Sequence, residues 1–194
     1  MIPKILHFIW LGDRIPSYAE FCMNSFHEVN PDFKINFIHD TIKNPQNEDV
    51  KDILKLIKDE STFYYKMFNR PWAKRHLQSY NGIMSNVADC LRCYILNKYG
   101  GIYLDLDTFP VNPFDNKLLN HKNFIVKHRE KTFDIFFIGS EIGKTFDDFI
   151  YYNEKTKNYH IKNPDKIIYY YEWLRNFHRK EINIFTEKFI NRDL

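Results

Sequence analysis

The spacing of apolar and polar positions divides this chain into alternating strands and helices. Ile5-Leu6-His7-Phe8-Ile9-Trp10 is almost unbroken in apolar residues and stops at Gly12, the pattern of a strand buried on both faces of a parallel sheet. Pro16 and Ser17 then open a helix to about Val29, which Asn30-Pro31 ends. Phe33-Lys34-Ile35-Asn36-Phe37-Ile38 alternates and predicts a second strand, and Val50, Ile53, Leu54 and Ile57 recur at helical spacing in a helix over 48–59. Residues 61–82 are aromatic and basic, punctuated by Pro71 and Gly82, and predict short helical pieces. The clearest helix follows: Ile83, Met84, Val87, Ala88, Leu91 and Ile95 form one stripe that ends at Tyr99 before Gly100-Gly101.

Ile102-Tyr103-Leu104-Asp105-Leu106-Asp107 predicts a strand that runs into two acids, and segments 123–127 and 133–138 predict two more strands. Residues 145–158 and 164–178 predict helices, the second rich in rings at Tyr169, Tyr170, Tyr171, Trp173 and Phe177. Strands alternating with helices imply an α/β fold built on a mostly parallel open sheet flanked by helices. The expectation is a single domain over 1–194 whose C-terminal part is helical from about 145.

Composition narrows the chemistry. With 194 residues, 44% hydrophobic and 27% charged, the chain has the composition of an ordinary globular domain rather than a disordered or fibrous one. A net charge of +3 with interleaved acids does not describe a nucleic-acid groove. Three cysteines, Cys22, Cys90 and Cys93, make no disulfide framework and suit a reducing cytoplasm; the Cys90/Cys93 pair falls mid-helix, where nothing stabilises a thiolate. No apolar run reaches the roughly 18 residues that span a bilayer, and the first apolar run lacks a signal peptide's cleavage site. The expected location is cytoplasmic, with peripheral contact at the inner face of the membrane as an open alternative. That alternative comes from the rings around Tyr169 to Trp173 with Lys166, Arg175, Arg179 and Lys180, which describe a core-facing stripe more readily.

The candidate chemistry lies at Asp105 and Asp107. In extended chain two carboxylates one residue apart project to one side, while Ile102, Leu104 and Leu106 face the other. At the carboxyl end of a buried strand, where open α/β sheets bind ligands, such a pair offers hard oxygens to Mg²⁺ or Mn²⁺. Asp89 and Arg92 are three apart on the clear helix and can meet. Trp10 ends the first strand and can be core or a stacking platform for a base. No histidine pair at helical zinc spacing, no P-loop, no G-x-S-x-G and no G-x-G-x-x-G occurs in the chain.

Two fragments carry a resemblance: Ile2-Pro3-Lys4-Ile5-Leu6-His7-Phe8-Ile9-Trp10-Leu11-Gly12, and the run from Ala88-Asp89-Cys90-Leu91-Arg92 through Gly100-Gly101-Ile102-Tyr103-Leu104-Asp105-Leu106-Asp107. In this order they resemble the DXD-containing sugar-binding glycosyltransferases of family 32. That family includes bacterial capsule and lipooligosaccharide transferases and yeast mannosyltransferases, and it is distantly similar to clostridial glucosylating toxins.

The resemblance implies a GT-A, Rossmann-like nucleotide-sugar-binding fold. It further implies metal-assisted, retaining transfer of a sugar from a nucleotide-sugar donor, UDP by first choice, to a glycan or lipid-linked acceptor. By position, Ile9 and Trp10 resemble the donor-base contacts. Asp89 resembles a ligand of ribose or sugar hydroxyls, and Arg92 a contact to sugar or diphosphate. Asp105 resembles a donor and metal ligand, and Asp107 the direct ligand of Mn²⁺ or Mg²⁺.

Phe137-Ile138-Gly139-Ser140-Glu141-Ile142-Gly143-Lys144 is similar to a further family stretch and brings in Ser140, Glu141 and Lys144 as acceptor or diphosphate contacts. It departs from the family's pattern, as does Ala88 where a serine is common. Two rival readings stay open. One is a catalytically silent carbohydrate- or nucleotide-binding module. The other is a metal-dependent phosphohydrolase, suggested by Asp105-Leu106-Asp107-Thr108 although the threonine stands one place too early for that motif.

Overall fold

A computed structural model describes residues 1–110, 113–129, 132–144, 150–153, 155, 156, 158–161, 164–169 and 174–176. In chain order the elements are β1 (Ile5–Leu11), α1 (Tyr18–Val29), β2 (Lys34–Asp40), α2 (Glu48–Leu56), α3 (Phe63–Phe68), a 3₁₀ segment (Pro71–Gln78) and α4 (Tyr80–Tyr99). They continue with β3 (Gly101–Leu104), β4 (Thr108–Pro110), a 3₁₀ segment (Asn116–Asn120), β5 (Asn123–Arg129) and β6 (Thr132–Ser140), then β7 (Ile150–Asn153), β8 (Asn158–Ile161), β9 (Lys166–Tyr169) and β10 (Leu174–Asn176).

The central sheet runs β2-β1-β3-β6-β5-β9. The pairs β1/β2, β1/β3 and β5/β9 are parallel, and β6 is antiparallel to both neighbours. The alternation of β1 assigns its side chains to two cores. Leu6 and Phe8 face Ala19, Cys22 and Phe26 of α1. Ile9 and Leu11 face Val50 and Ile53 of α2 and Val87, Leu91 and Ile95 of α4. Both sheet faces are therefore covered, which is why β1 reads as a nearly continuous apolar run.

Three helices start where caps favour it: the Asn47 side chain accepts from the amides of Asp49 and Val50, Thr62 from Tyr65 and Ser79 from Gly82, whereas α1 starts after Ser17 without a side-chain cap. The join between α4 and β3 depends on Gly100 and Gly101. Both have positive φ, 62° and 101°, and a Cβ on Gly101 would stand 2.7 Å from the Ile5 carbonyl oxygen. No other residue type lets the best helix feed the site strand so closely.

His7 locks this join. It is 1% exposed; its Nε2–H donates to the Gly100 carbonyl at 2.7 Å and its Nδ1 accepts from the Asn36 amide at 2.9 Å. Burial pulls its pKa from 6.5 down to about 4, against the raising effect of the Gly100 hydrogen bond. Between those values the unfolded chain holds the extra proton, so stability is full above pH 6.5 and falls as pH drops toward 4. The expected loss is about 3 kcal/mol. Urea midpoints at pH 7, 5.5 and 4.5 check it: His7→Gln, which keeps a donor and an acceptor, should flatten the slope, and an unchanged slope in that variant would remove His7 as its cause.

The C-terminal expectation is corrected. Where helices were expected over 145–158 and 164–178, Ile150–Asn153 and Asn158–Ile161 form an antiparallel pair, Lys166–Tyr169 adds to β5 in parallel, and Leu174–Asn176 pairs with β4. Residues 145–149, 154, 157, 162, 163, 170–173 and 177–194 lie outside the described residues. The β-branched and aromatic residues of Ile150–Asn153, Asn158–Ile161 and Lys166–Tyr169 suit strands, and for Lys166–Tyr169 the open edge of β5 outweighs helical spacing. The strand expected over 102–107 also ends early, at Leu104. The Thr108 amide donates to the Asp105 carbonyl at 3.1 Å and turns the chain at the acids.

All three cysteines are buried and unbridged, and burial pushes the Cys90 and Cys93 thiols up, Cys93 to about 12. As protonated core groups they offer no redox chemistry.

Candidate active site

The register of β1 and β3 sets the centre of the site. His7 lies opposite Tyr103, so the two parallel strands bring Ile9 and Asp105, each two residues onward, to the same carboxyl end, where both line one cleft. That cleft measures about 850 Å³. Its walls come from Ile9 to Arg14 at the end of β1, Tyr18 of α1, one face of α4, and Tyr103 with 105–107 after β3. The α4 face is Asn81, Met84, Ser85, Ala88 and Arg92, a spacing of three and four that turns one stripe to the cleft. Met84 and Ala88, expected in the apolar core stripe, are half-buried along this wall.

Trp10 is half-buried, packed on the α1 side of the sheet, and its indole N–H donates to the Arg14 carbonyl at 2.7 Å. The His39 Nε2–H donates to the Gly12 carbonyl at 2.9 Å, so the rim loop 12–14 is tied to both β1 and β2.

Arg92 is buried at the base of the cleft, which it helps to line. Its Nη2 lies 2.9 Å from Asp89 Oδ1, and its Nη1 donates to the Ile135 carbonyl at 3.0 Å and lies 3.4 Å from Asp105 Oδ1. The guanidinium carbon sits 4.5 Å over the Tyr103 ring, whose hydroxyl donates to the same Asp105 Oδ1 at 2.7 Å. Asp89 does not line the cleft: its other oxygen, Oδ2, accepts from Arg70 Nη2 at 2.6 Å. Both terminal nitrogens of Arg92 are thus engaged by the protein, which leaves its charge rather than a free fork to act in the cleft.

Asp105 concentrates the electrostatics. Burial pushes its carboxyl up to about 6; Arg92 and the Tyr103 hydroxyl oppose this, and Asp107 and Asp89 add to it. Both Arg92 and Tyr103 approach through Oδ1, and among the described residues no group donates to Oδ2. Asp107 lines the cleft two residues on. Asp105 and Asp107 are half-buried, with Asp107 lining the cleft, and this pair of carboxylates fits a hard divalent cation such as Mg²⁺ or Mn²⁺ that keeps water and substrate oxygens for its remaining positions. No group of three or more such ligands occurs among the described residues.

Of the residues singled out in the sequence, Ile9, Trp10, Arg92, Asp105 and Asp107 meet at the cleft, with Asp89 directly behind Arg92. Ser140, Glu141 and Lys144 do not. Because β6 runs antiparallel to β3, Ser140 pairs with Gly101 at the opposite end of the strand, and the Glu141 carboxylate pairs with the Met1 amino group. Tyr103 and Arg70 were missed. Tyr103 was detectable, since alternation along β3 puts it on the side of Asp105; nothing in the spacing of the sequence points to Arg70.

Residues 16–125 match the family described as the glycosyltransferase sugar-binding region containing DXD motif, and the chain belongs to that family. Inositol phosphoceramide mannosyltransferase 3 of Schizosaccharomyces pombe is 32% identical over 108 residues, 55% of this chain and 24% of that protein. The chain thus spans about a quarter of that relative's length. Among solved structures, PaToxG glycosyltransferase superposes with a TM-score of 0.50 at 18% identity over 73% of this chain and 56% of its own, a likeness of fold. Galactosyltransferase LgtC, solved with donor and acceptor sugar analogs, gives 0.41 at 15% identity over 72% and 58% of the two chains. The architecture is that of a GT-A fold, as expected. No described helix is long and apolar enough to cross a membrane.

Proposed function

We propose that this chain is a single glycosyltransferase domain that moves a sugar from a nucleotide-sugar donor, UDP-linked by preference, to a glycan or lipid-linked acceptor with retention at the anomeric carbon. The observation that carries this reading is the convergence of Trp10, Arg92, Asp105 and Asp107 on one cleft at the carboxyl ends of β1 and β3.

The residues divide the work. The Trp10 indole, held by its bond to Arg14, offers a rigid face for the donor base, and the Ile9 backbone lies beside it. Asp105 Oδ2 and Asp107 would hold Mn²⁺ or Mg²⁺ against the donor diphosphate; a bound cation supplies neutralisation of the charge that grows on the leaving group. Arg92 adds fixed positive charge from beneath, already oriented by four partners and therefore without reorganisation during reaction. In the transfer itself the bond from the sugar's anomeric carbon to the diphosphate breaks. A bond to the acceptor hydroxyl forms on the same face, and the hydroxyl proton passes to the departing phosphate. Asp89 is assigned to support of Arg92 rather than to direct contact with sugar hydroxyls, because both its oxygens are occupied by guanidinium groups.

Release of free sugar and nucleotide diphosphate from a panel of nucleotide sugars, with and without Mn²⁺, tests the proposal, alongside thermal shifts by the same donors. Binding without turnover would leave a binding module, and neither shift nor turnover with any donor would end the reading. Trp10→Ala should weaken donor binding roughly 5- to 150-fold, the equivalent of about 1–3 kcal/mol for one lost base stack. Calorimetry checks this, and a donor affinity unchanged in that variant would take the indole out of the site.

A further inference from the structure

We infer that Arg70, which does not line the cleft, is a positioning residue for its acidic floor: through Asp89 it holds Arg92 on Asp105. The inference rests on the proposed sugar transfer for its kinetic readout, and a second readout needs no turnover.

Arg70 sits between α3 and the 3₁₀ segment, 1% exposed, and is the largest fully buried side chain among the described residues. Its Nη1 donates to the Met67 carbonyl at 2.8 Å and its Nη2 to Asp89 Oδ2 at 2.6 Å. The planar fork is therefore fixed at two points, and it fixes the Asp89 carboxylate in turn. From there the series of alternating charges runs from Asp89 Oδ1 to Arg92 and from Arg92 to Asp105 Oδ1. Arg70 thus belongs to a row of four charges that ends in the cleft.

Burial of such a row is a poor way to gain stability, because apolar side chains of equal volume often serve as well. What an ion row supplies is orientation. Asp89 and Asp105 compete for one guanidinium, and Asp89 has the advantage of lying three residues away on the same helix. By occupying Oδ2, Arg70 limits Asp89 to a single contact with Arg92. The Arg92 Nη1 then remains with Asp105 and the Ile135 carbonyl. Without Arg70, both oxygens of Asp89 are open to Arg92, and the guanidinium is drawn along α4 away from Asp105.

The test compares wild type, Arg70→Met, Arg92→Met and the double variant, with Arg70→Lys as the conservative change. Arg70→Met should lower kcat for donor turnover about tenfold with little change in donor KM, and in the Arg92→Met background the same change should cost less than about twofold. Arg70→Lys, which keeps the charge but cannot span both acceptors, should fall between; it carries the test if Arg70→Met does not fold. The second readout is nitrogen-15 NMR of the Arg92 guanidinium, assigned by its loss in Arg92→Met. Its Nη signals should be distinct in wild type, from hindered rotation, and should merge or move in Arg70→Lys.

Equal kcat losses in both backgrounds would overturn the inference, as would Arg92 signals indifferent to residue 70. A wild type inert toward every nucleotide sugar whose Arg92 signals still respond to Arg70→Lys would sink the sugar-transfer reading and leave the positioning role standing.

Discussion

Replacing Asp107 by asparagine is expected to lower sugar transfer by about 10²- to 10³-fold at fixed Mn²⁺, the scale seen when one preorganised group is removed from a developing charge. Asp107 lines the cleft beyond the turn at 105–108, where the Thr108 amide closes on the Asp105 carbonyl. The substitution keeps the side chain's shape and removes its charge, so a hard cation loses an anionic oxygen while the fold loses little. Two measurements separate these effects. The urea midpoint should stay near wild type, and raising Mn²⁺ into the millimolar range should restore part of the rate because the defect is one of occupancy. A rate equal to wild type at every Mn²⁺ concentration would refute the assignment of Asp107 as a cation ligand.

Asp89→Ala is expected to be the most destabilising substitution in the site, by about 3–5 kcal/mol. It leaves two guanidinium groups, on Arg70 at 1% exposed and Arg92 at 10%, without the carboxylate they share. Removing one partner of a buried ionic network costs more than the network contributes, because the remaining charges stay desolvated. For a domain of this size the loss corresponds to a fall in Tm of roughly 6–20 °C. Asp89→Asn, which still accepts hydrogen bonds, should cost less. Donor turnover should fall with both. A loss under about 1 kcal/mol in Asp89→Ala would mean that Arg70 and Arg92 reach other partners or water easily, and the rigid row would not exist.

The architecture explains how one helix can serve both stability and site. Val87, Cys90, Leu91 and Ile95 of α4 pack on the sheet, Asp89 and Arg92 carry the charges beneath the cleft, and Met84 and Ala88 line its wall. Gly100 and Gly101 then pass the chain into β3 with His7 bonded across the join. A shift of α4 would therefore move Arg92, the turn at Asp105 and the cleft wall together.

The first two strands, α1, α2 and α4 are legible in the sequence from local periodicity, and the three-residue spacing of Asp89 and Arg92 lets them meet; the convergence of Trp10 with Asp105 and Asp107 is what the resemblance to family 32 implies. The remainder depends on partners distant in the chain. Ser140, Glu141 and Lys144 leave the cleft because β6 runs antiparallel to β3, a direction that no residue in either strand encodes. The helical spacing over Lys166–Tyr169 yields to strand pairing because β5 offers an edge whose backbone groups need partners. Arg70 acquires meaning only when α3 packs on α4 and brings its guanidinium to Asp89. Periodicity records which face of an element is apolar; the direction of a neighbour and the charge that meets a buried carboxylate are settled by packing.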